Sequence, residues 1–288
     1  MLLNAYMVFI SSAFDSGSID VVDASSAADV QLRLVPEPLC ELEGARFMQW
    51  FHFKVTNVKG VSCRFRILNA GDVSFASGWE GYKAVCTYDR LSHFRVEGTR
   101  WDADAGQLNI ELTPEHDTLW LSYFAPFTTE RHMKMVTRVG SSPVASLKVL
   151  GQSLDGRDIE CLTVGHGGEA SVWIIAQQHP GEHMAEFWTE GLLDRLVDRS
   201  DAVGRALCDL CTFHVVPRIN PDGCARGHLR TNAAVSRVMH SDNHACPVAA
   251  TFNVVFAPVQ LAFRLVYVNT RDCTGACTIN RPHITMHD

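Results

Sequence analysis

The sequence lacks the charge balance of a protein that binds nucleic acid. Lys and Arg together number 25 against 32 Asp and Glu, and the formal net charge is −7 over 288 residues. Proteins that grip a phosphate backbone present a basic surface, because each phosphate contact neutralises a negative charge. We therefore expect no nucleic-acid partner.

Long apolar runs are also scarce. The first residues, MLLNAYMVFISSAFDSG, carry no basic leader and no A-x-A cleavage pattern, so we interpret them as the start of a strand and not as a signal peptide. The longest apolar stretch, residues 252–268, is interrupted by Pro258, Gln260 and Arg264 and is short for a membrane span. These features predict a cytoplasmic protein with no membrane partner.

The ten cysteines form no framework of paired positions. Cys208 and Cys211 form a CxxC, and Cys273 and Cys277 a CxxxC, but neither has a second pair at the spacing of a zinc ribbon. We expect reduced thiols. The HExxH pentad is absent as well, which excludes the zinc peptidases that depend on it.

What the first part of the chain does contain is the pattern of short strands. Segments such as RFMQWFHFKVTNV and SCRFRILNAG alternate apolar and polar residues, and Gly, Asn, Asp or Pro separates one segment from the next. Alternation with period two favours half-buried strands, and many short strands with turn residues between them indicate a sandwich. We predict an N-terminal β-sandwich domain over residues 1–133.

The pattern changes in the middle of the chain. VASLKVLGQSL and DIECLTVG predict a hairpin around Asp155-Gly156, ASVWIIAQQ a strand buried on both faces, and residues 184–200 an amphipathic helix. A further strand is predicted over LCDLCTFHVVPRINPDG, ending in an Asn-Pro-Asp-Gly turn. The order strand, helix, strand indicates a partial α/β domain, a mixed sheet with flanking helices, at residues 134–234.

Residues 235–288 have a different composition. They contain no Glu, no Lys and no Trp, with a single Gly, and neither a helical nor a strand period persists in them. We interpret them as an unmatched tail that does not continue the α/β domain. A shifted reading frame and a retained intron are the two candidate origins, and the coding sequence beyond codon 234 distinguishes them.

One stretch carries the residue types of a metal site. In IIAQQHPGEHMAEFW, His179 follows the predicted strand and Glu182 comes three residues later, at the end of a sheet where α/β proteins bind ligands. Zinc accepts such nitrogen and oxygen donors, and a catalytic site needs three protein ligands. The spacing alone fits equally an exposed His and a helix-first-turn Glu. His183 is a rival ligand that we expect to be an exposed bystander.

Several motifs together resemble a known family. IIAQQHPGEHMAEFW and PRINPDGCARGHLRTNA are similar to segments of the zinc metallocarboxypeptidases, in the cytosolic carboxypeptidase branch and closest to its bacterial-type members. The segments FDSGSIDVVDA, QWFHFKV, GWEGYKAVCTYDR and YFAPFTTERH resemble the β-sandwich domain that precedes the catalytic domain in this branch. The motifs occur in the family's order over residues 8–234.

The resemblance implies a function and roles for the matching positions. It implies a carboxypeptidase that removes C-terminal residues from a peptide or protein substrate, with Zn²⁺ as cofactor. His179 and Glu182 would bind the zinc ion, and Arg230 would polarise the scissile carbonyl and stabilise the oxyanion. A guanidinium suits that task because it stays charged and presents fixed donors. Residues Asn220 to Gly223 are interpreted as turn formers.

The resemblance stops after residue 234. The family's carboxylate-binding Asn-Arg pair, its D-x-H-G box with the third zinc ligand and its general-base Glu have no counterpart here; the last Glu is Glu190. The later histidines and the lone Asn-Arg dipeptide lack the flanking patterns: His240, His244, His283, His287 and Asn280-Arg281. We expect little or no carboxypeptidase activity from this chain as written. The alternative is a non-catalytic protein-binding module built on the β-sandwich.

Overall fold

A computed structural model describes residues 8–38, 47–165 and 170–234, together with the backbone of three strands within 254–269. The first ten strands are β1 (Phe9–Ser11), β2 (Asp20–Asp23), β3 (Val30–Arg33), β4 (His52–Thr56), β5 (Cys63–Ile67), β6 (Val85–Thr87), β7 (Phe94–Arg95), β8 (Gly98–Asp102), β9 (Gln107–Leu112) and β10 (Thr118–Ser122). They form two five-stranded sheets, in the orders β1-β4-β10-β6-β7 and β2-β3-β5-β9-β8.

The apolar faces of these two sheets enclose one core. Val55 and Leu119 on one sheet and Phe65 and Ile110 on the other are fully buried in the same cluster. Phe53 and Phe65 bridge the sheets, with ring centroids 6.0 Å apart. Because the buried positions alternate along β3, β5 and β9, the period-two pattern of the sequence becomes one apolar layer between two sheets. The predicted β-sandwich is confirmed.

The second domain begins with α1 (Thr129–Gly140), followed by β11 (Ala145–Gln152), β12 (Asp158–Val164), β13 (Ala170–Ile175), α2 (Met184–Val197), α3 (Ala202–Leu210), β14 (Cys211–Val216) and α4 (Pro221–Arg226). Its sheet has the order β11-β12-β14-β13-β17, where β17 is Arg264–Asn269. Strands β15 (Val254–Phe256) and β16 (Val259–Leu261) form a separate pair. Among the strand pairs that the structure describes in this sheet, β13 and β14 run parallel and the others antiparallel, so the predicted mixed sheet with flanking helices is confirmed.

The hairpin around Asp155-Gly156 forms as predicted, between β11 and β12, and Gly156 takes the left-handed φ of 77° that the turn requires. Three helices, α1, α3 and α4, were not predicted from the sequence. The segment LCDL, predicted as strand, lies in α3, which begins after Asp201; the Asp201 carboxylate accepts the Val203 and Gly204 N–H groups at 2.9 Å. The N-cap Asp201 therefore marks the start of a helix that the strand-like residues after it obscured in the sequence.

Strand β13 was predicted to be buried on both faces, but within it only Ile174 is buried. Its helix-facing side packs with residues of α1 and α2 around Leu162, Phe213 and Val215. Side chains on the other side, including Trp173 and Ile175, are half-buried. The apolar composition of the strand therefore indicated a buried sheet without indicating which face is the better covered.

The two domains meet through polar groups of the FDSG segment, residues 14–17. Asp15 accepts the Thr129 backbone N–H and hydroxyl, both at 2.8 Å, and so holds the start of α1. Ser16 donates its backbone N–H to Ala225 at 2.9 Å, and a Cβ on Gly227 would lie 2.7 Å from the Ser16 carbonyl oxygen. The FDSG segment thus docks against α4, and Gly227 is required for the close approach.

The six cysteines within the described ranges are all free. In the same ranges no helix is both long and apolar enough to cross a membrane.

Candidate metal centre

The HPGE turn, residues 179–182, comes shortly after the end of β13. Hydrogen bonds within the turn and to residues 229–231 fix its position. The Glu182 N–H donates to the His179 carbonyl at 3.0 Å, and the Gly181 N–H donates to the Leu229 carbonyl at 3.1 Å. A Cβ on Gly181 would lie 2.9 Å from the Leu229 side chain and 3.1 Å from its Cα atom. The glycine therefore lets the turn touch residues 229–231, which brings the two sequence motifs together.

Asn220 ties the same two segments from the other side. Its side-chain amide donates to the Gln178 carbonyl at 3.3 Å and to the Thr231 carbonyl at 3.2 Å, and its oxygen accepts the Gly223 N–H at 3.1 Å. The predicted Asn-Pro-Asp-Gly turn is thus the start of α4, with Asn220 as N-cap and Pro221 in the first turn. One side chain caps the helix and positions the HPGE turn.

Asp222 anchors the β11–β12 hairpin to this assembly. Its buried carboxylate accepts the Ser153 hydroxyl at 2.7 Å, the Asp155 N–H at 3.1 Å and an Arg157 guanidinium nitrogen at 2.7 Å. A buried carboxylate with three donors is fully compensated for its lost hydration. The role is structural, which the sequence pattern did not distinguish from simple turn formation.

Glu182 and Arg230, predicted as site residues from separate motifs, are in contact. The Arg230 Nη1 atom donates to Glu182 Oε1 at 3.1 Å, and both side chains retain partial exposure to solvent. The ring of Phe75, from the β-sandwich, lies over the guanidinium at 5.4 Å from Cζ. The structure therefore places one predicted donor and the predicted cation side by side at the end of β13.

The sequence led us to expect His183 at the surface. The structure instead buries it, with an exposed fraction of 1%. Its Nδ1 accepts the Phe127 N–H at 3.0 Å, and its ring packs on Trp50 of the sandwich at 4.5 Å. Burial, together with the nearby Arg218 charge, holds the pKa of His183 well below 6.5, so the ring is neutral. The expectation was wrong because the second domain alone does not show what the sandwich covers.

A buried charged network lies behind the turn, and the sequence analysis missed it. Arg218 donates from Nε and Nη2 to one oxygen of Glu186, at 2.9 and 2.7 Å, and from Nη2 to the Phe127 carbonyl at 2.7 Å. His132 bonds the other Glu186 oxygen and Glu160. Within the sequence, the only available signal was an Arg and a Glu in otherwise apolar segments, which their spacing does not connect.

The donors present fit zinc in their chemistry. His179 supplies an imidazole whose Nδ1 atom is shielded from solvent, and Glu182 supplies a carboxylate held on the same turn. In residues 8–38, 47–165 and 170–234 no group of three His, Cys, Asp or Glu side chains could hold a metal. The later histidines and the Asn280-Arg281 dipeptide lie outside the described residues, so no residue is assigned as the third zinc ligand.

Two family profiles match the chain in the order of its domains. The cytosolic carboxypeptidase N-terminal domain matches residues 10–124, and the zinc carboxypeptidase domain matches residues 133–253. The chain belongs to the zinc carboxypeptidase family. The second match runs past residue 234 to residue 253.

Relatives of this zinc carboxypeptidase family member include an uncharacterized protein of Zymomonas mobilis, 41% identical over 78% of this chain and 56% of its own length. Cytosolic carboxypeptidase 2 of Danio rerio is 28% identical over 67% of this chain and 31% of its own length. The chain thus spans about half of the first relative and a third of the second.

Solved structures show the same fold. The metallo-carboxypeptidase from Burkholderia cenocepacia is 40% identical with a TM-score of 0.75, covering 80% of this chain and 61% of that one. The metallo-carboxypeptidase from Pseudomonas aeruginosa, in complex with (2-guanidinoethylmercapto)succinic acid, is 39% identical with a TM-score of 0.73, covering 80% and 60%.

Proposed function

We propose that this chain is a zinc-dependent metallocarboxypeptidase by descent, acting on the C-terminus of a peptide or protein, with His179 and Glu182 as zinc ligands. The observation that carries the proposal is the Arg230–Glu182 contact at the end of β13. It joins a donor on one motif to a cation on the other, where α/β sheets bind their ligands. The family match supports the same assignment.

Zinc bound at such a site polarises a carbonyl group and activates water. The chain's own contribution is positional. Asn220 and Gly181 hold the HPGE turn against residues 229–231. Arg230 presents a permanently charged donor beside Glu182, close enough to stabilise negative charge that develops on a carbonyl oxygen.

The same proposal includes an impaired reaction. A catalytic zinc site uses three protein ligands, and the chain supplies the family's general-base Glu, carboxylate-binding Asn-Arg and third ligand at no matching position. We expect zinc binding weaker than that of a complete site, and little or no turnover. Hydrolysis of a C-terminally extended peptide by the purified chain, abolished by a chelator, would contradict the impaired reaction.

Zinc titration of the purified chain by calorimetry tests the ligands. We expect at most one equivalent to bind, with affinity reduced at least tenfold, about 1.4 kcal/mol, by His179→Ala or Glu182→Gln. His116→Ala, which removes an exposed histidine of the sandwich, is the matched control and should leave affinity unchanged. Equal affinity in all four proteins would remove His179 and Glu182 as ligands.

The β-sandwich supports one alternative, a non-catalytic binding module. Its core is closed between its own two sheets, which is what an independently folding module needs. A chain that binds no zinc and turns over no peptide, yet folds cooperatively, would favour this alternative over the carboxypeptidase.

A further inference from the structure

Glu37, in the sandwich domain, reaches into the second domain. Its side chain is buried, at 6% exposure, and its own N–H donates to the Phe47 carbonyl at 3.1 Å. The carboxylate accepts three successive backbone N–H groups, those of Leu229, Arg230 and Thr231, the last two at 2.8 Å. A single side chain from one domain therefore satisfies a whole turn of backbone donors in the other.

These contacts hold Arg230 at its backbone, while two others hold its side chain. Nη1 of Arg230 reaches Glu182, and the Phe75 ring covers the guanidinium. Of the three restraints, Glu37 and Phe75 both come from the sandwich. The direction in which Arg230 points is thus set largely by residues outside its own domain.

A carboxylate is the side chain that this arrangement requires. It has two oxygens and no donor, so it can accept all three N–H groups, and its bonds are strengthened by charge. A Gln in the same place keeps one acceptor oxygen and turns an NH₂ donor toward backbone donors. We expect that exchange to release at least one of the three N–H groups.

We infer that Glu37 is a positioning residue for Arg230, so that the N-terminal sandwich is a working part of the candidate active site. The role in catalysis rests on the proposed function of Arg230; the positioning contact does not. Nothing in the family match assigns a function to Glu37. Its distance in sequence from Arg230, 193 residues, also hides the contact from any local motif.

Side-chain NMR of the full chain with ¹⁵N-labelled arginine and tryptophan tests the contact. The Arg230 Nε–Hε signal is assigned by its loss in Arg230→Lys. The Trp50 indole N–H, which donates to the Ser16 carbonyl at 2.8 Å, reports on the domain interface and is assigned by its loss in Trp50→Phe. Glu37→Gln is compared with Glu37→Asp, which keeps the charge, and with the exposed control Glu80→Gln.

In Glu37→Gln we expect the Arg230 signal to move by more than its linewidth while the Trp50 signal stays in place, with partial recovery in Glu37→Asp and no change in Glu80→Gln. An unmoved Arg230 signal overturns the inference. So does joint movement of the Arg230 and Trp50 signals, which would mean that the interface has simply loosened. Zinc binding is measured on the same samples: a response of Arg230 in a chain that binds no zinc supports the contact and overturns only the proposed function.

Discussion

The two domains bury different kinds of groups. The sandwich is filled by apolar side chains from both of its sheets, among them Phe53, Phe65 and Leu119. The second domain has a smaller apolar cluster and places the Arg218–Glu186 ion pair behind the candidate metal centre. The sandwich also has buried polar groups, such as Glu37 and Ser16, that form hydrogen bonds with the second domain.

The difference separates what stabilises the protein from what shapes its site. Apolar burial is non-directional, so it secures the sandwich without fixing any one side chain. Buried ion pairs contribute little net stability, because the cost of removing the charges from water offsets their attraction. Both they and charge-assisted hydrogen bonds demand one geometry. The polar groups are concentrated around the HPGE turn and Arg230, where a metal and a substrate would need defined positions.

The largest expected effect comes from removing one member of the buried ion pair in the second domain. Arg218→Met leaves the Glu186 carboxylate, 0% exposed, without its main partner. We expect the free energy of unfolding to fall by about 3–5 kcal/mol, the usual result of removing one member of a buried pair. Urea unfolding of the purified chain measures it. Arg199→Met, at an exposed position, should change it by less than about 0.5 kcal/mol, and equal effects would contradict the comparison.

The next effect tests the apolar side. Leu119→Ala removes a side chain that is 0% exposed at the centre of the sandwich core. A cavity plus lost burial should lower the free energy of unfolding by about 2–5 kcal/mol. Leu91→Ala, at a position 78% exposed, is the control, measured in the same urea experiment. A loss no larger than that of the control would mean that the core repacks around the gap.

A smaller effect is the pH dependence of the free energy of unfolding that His132 causes. Burial alone would lower the pKa of His132, but hydrogen bonds to Glu160 and Glu186 raise it above 6.5. The protonated ring therefore stabilises the folded state fully below pH 6.5, and this contribution is lost as pH rises through the folded pKa. We expect the stability difference between the parent and His132→Gln to shrink from pH 6 to 9 in unfolding experiments. A difference independent of pH would show that folding leaves the pKa of the His132 ring unshifted, and would contradict the prediction.

The smallest expected effect concerns the contact across the domains. Phe75, 49% exposed, lies over the Arg230 guanidinium, and Phe75→Leu should cost about 0.5–1 kcal/mol through the lost cation–π contact. A double-mutant cycle with Arg230→Lys isolates the coupling from the change in apolar area. Phe9→Leu, at another exposed aromatic position, supplies the control. Zero coupling would remove Phe75 from the restraints on Arg230.

Much of the fold could be predicted because its signals are local. Alternation marked β4, β5 and β9, turn residues marked the β11–β12 hairpin, and an apolar run followed by a helical pattern marked β13 and α2. Helices α1 and α3 were missed because only the caps Thr128 and Asp201 mark their starts, and strand-like residues follow in the α3 segment. Helix α4, six residues long, was predicted only as a turn.

The sequence sufficed to predict the order of the two domains, the strand that precedes the HPGE turn, and His179 and Glu182 as candidate zinc ligands three positions apart. These depend on period and spacing along the chain, which folding does not alter. Tertiary structure alone decided that Arg230 meets Glu182, that Glu37 holds the Arg230 backbone and that His183 is buried against Trp50. Those contacts join residues that lie between 48 and 193 positions apart, two of the three across the domain boundary. They depend on how two surfaces fit together and on no local pattern.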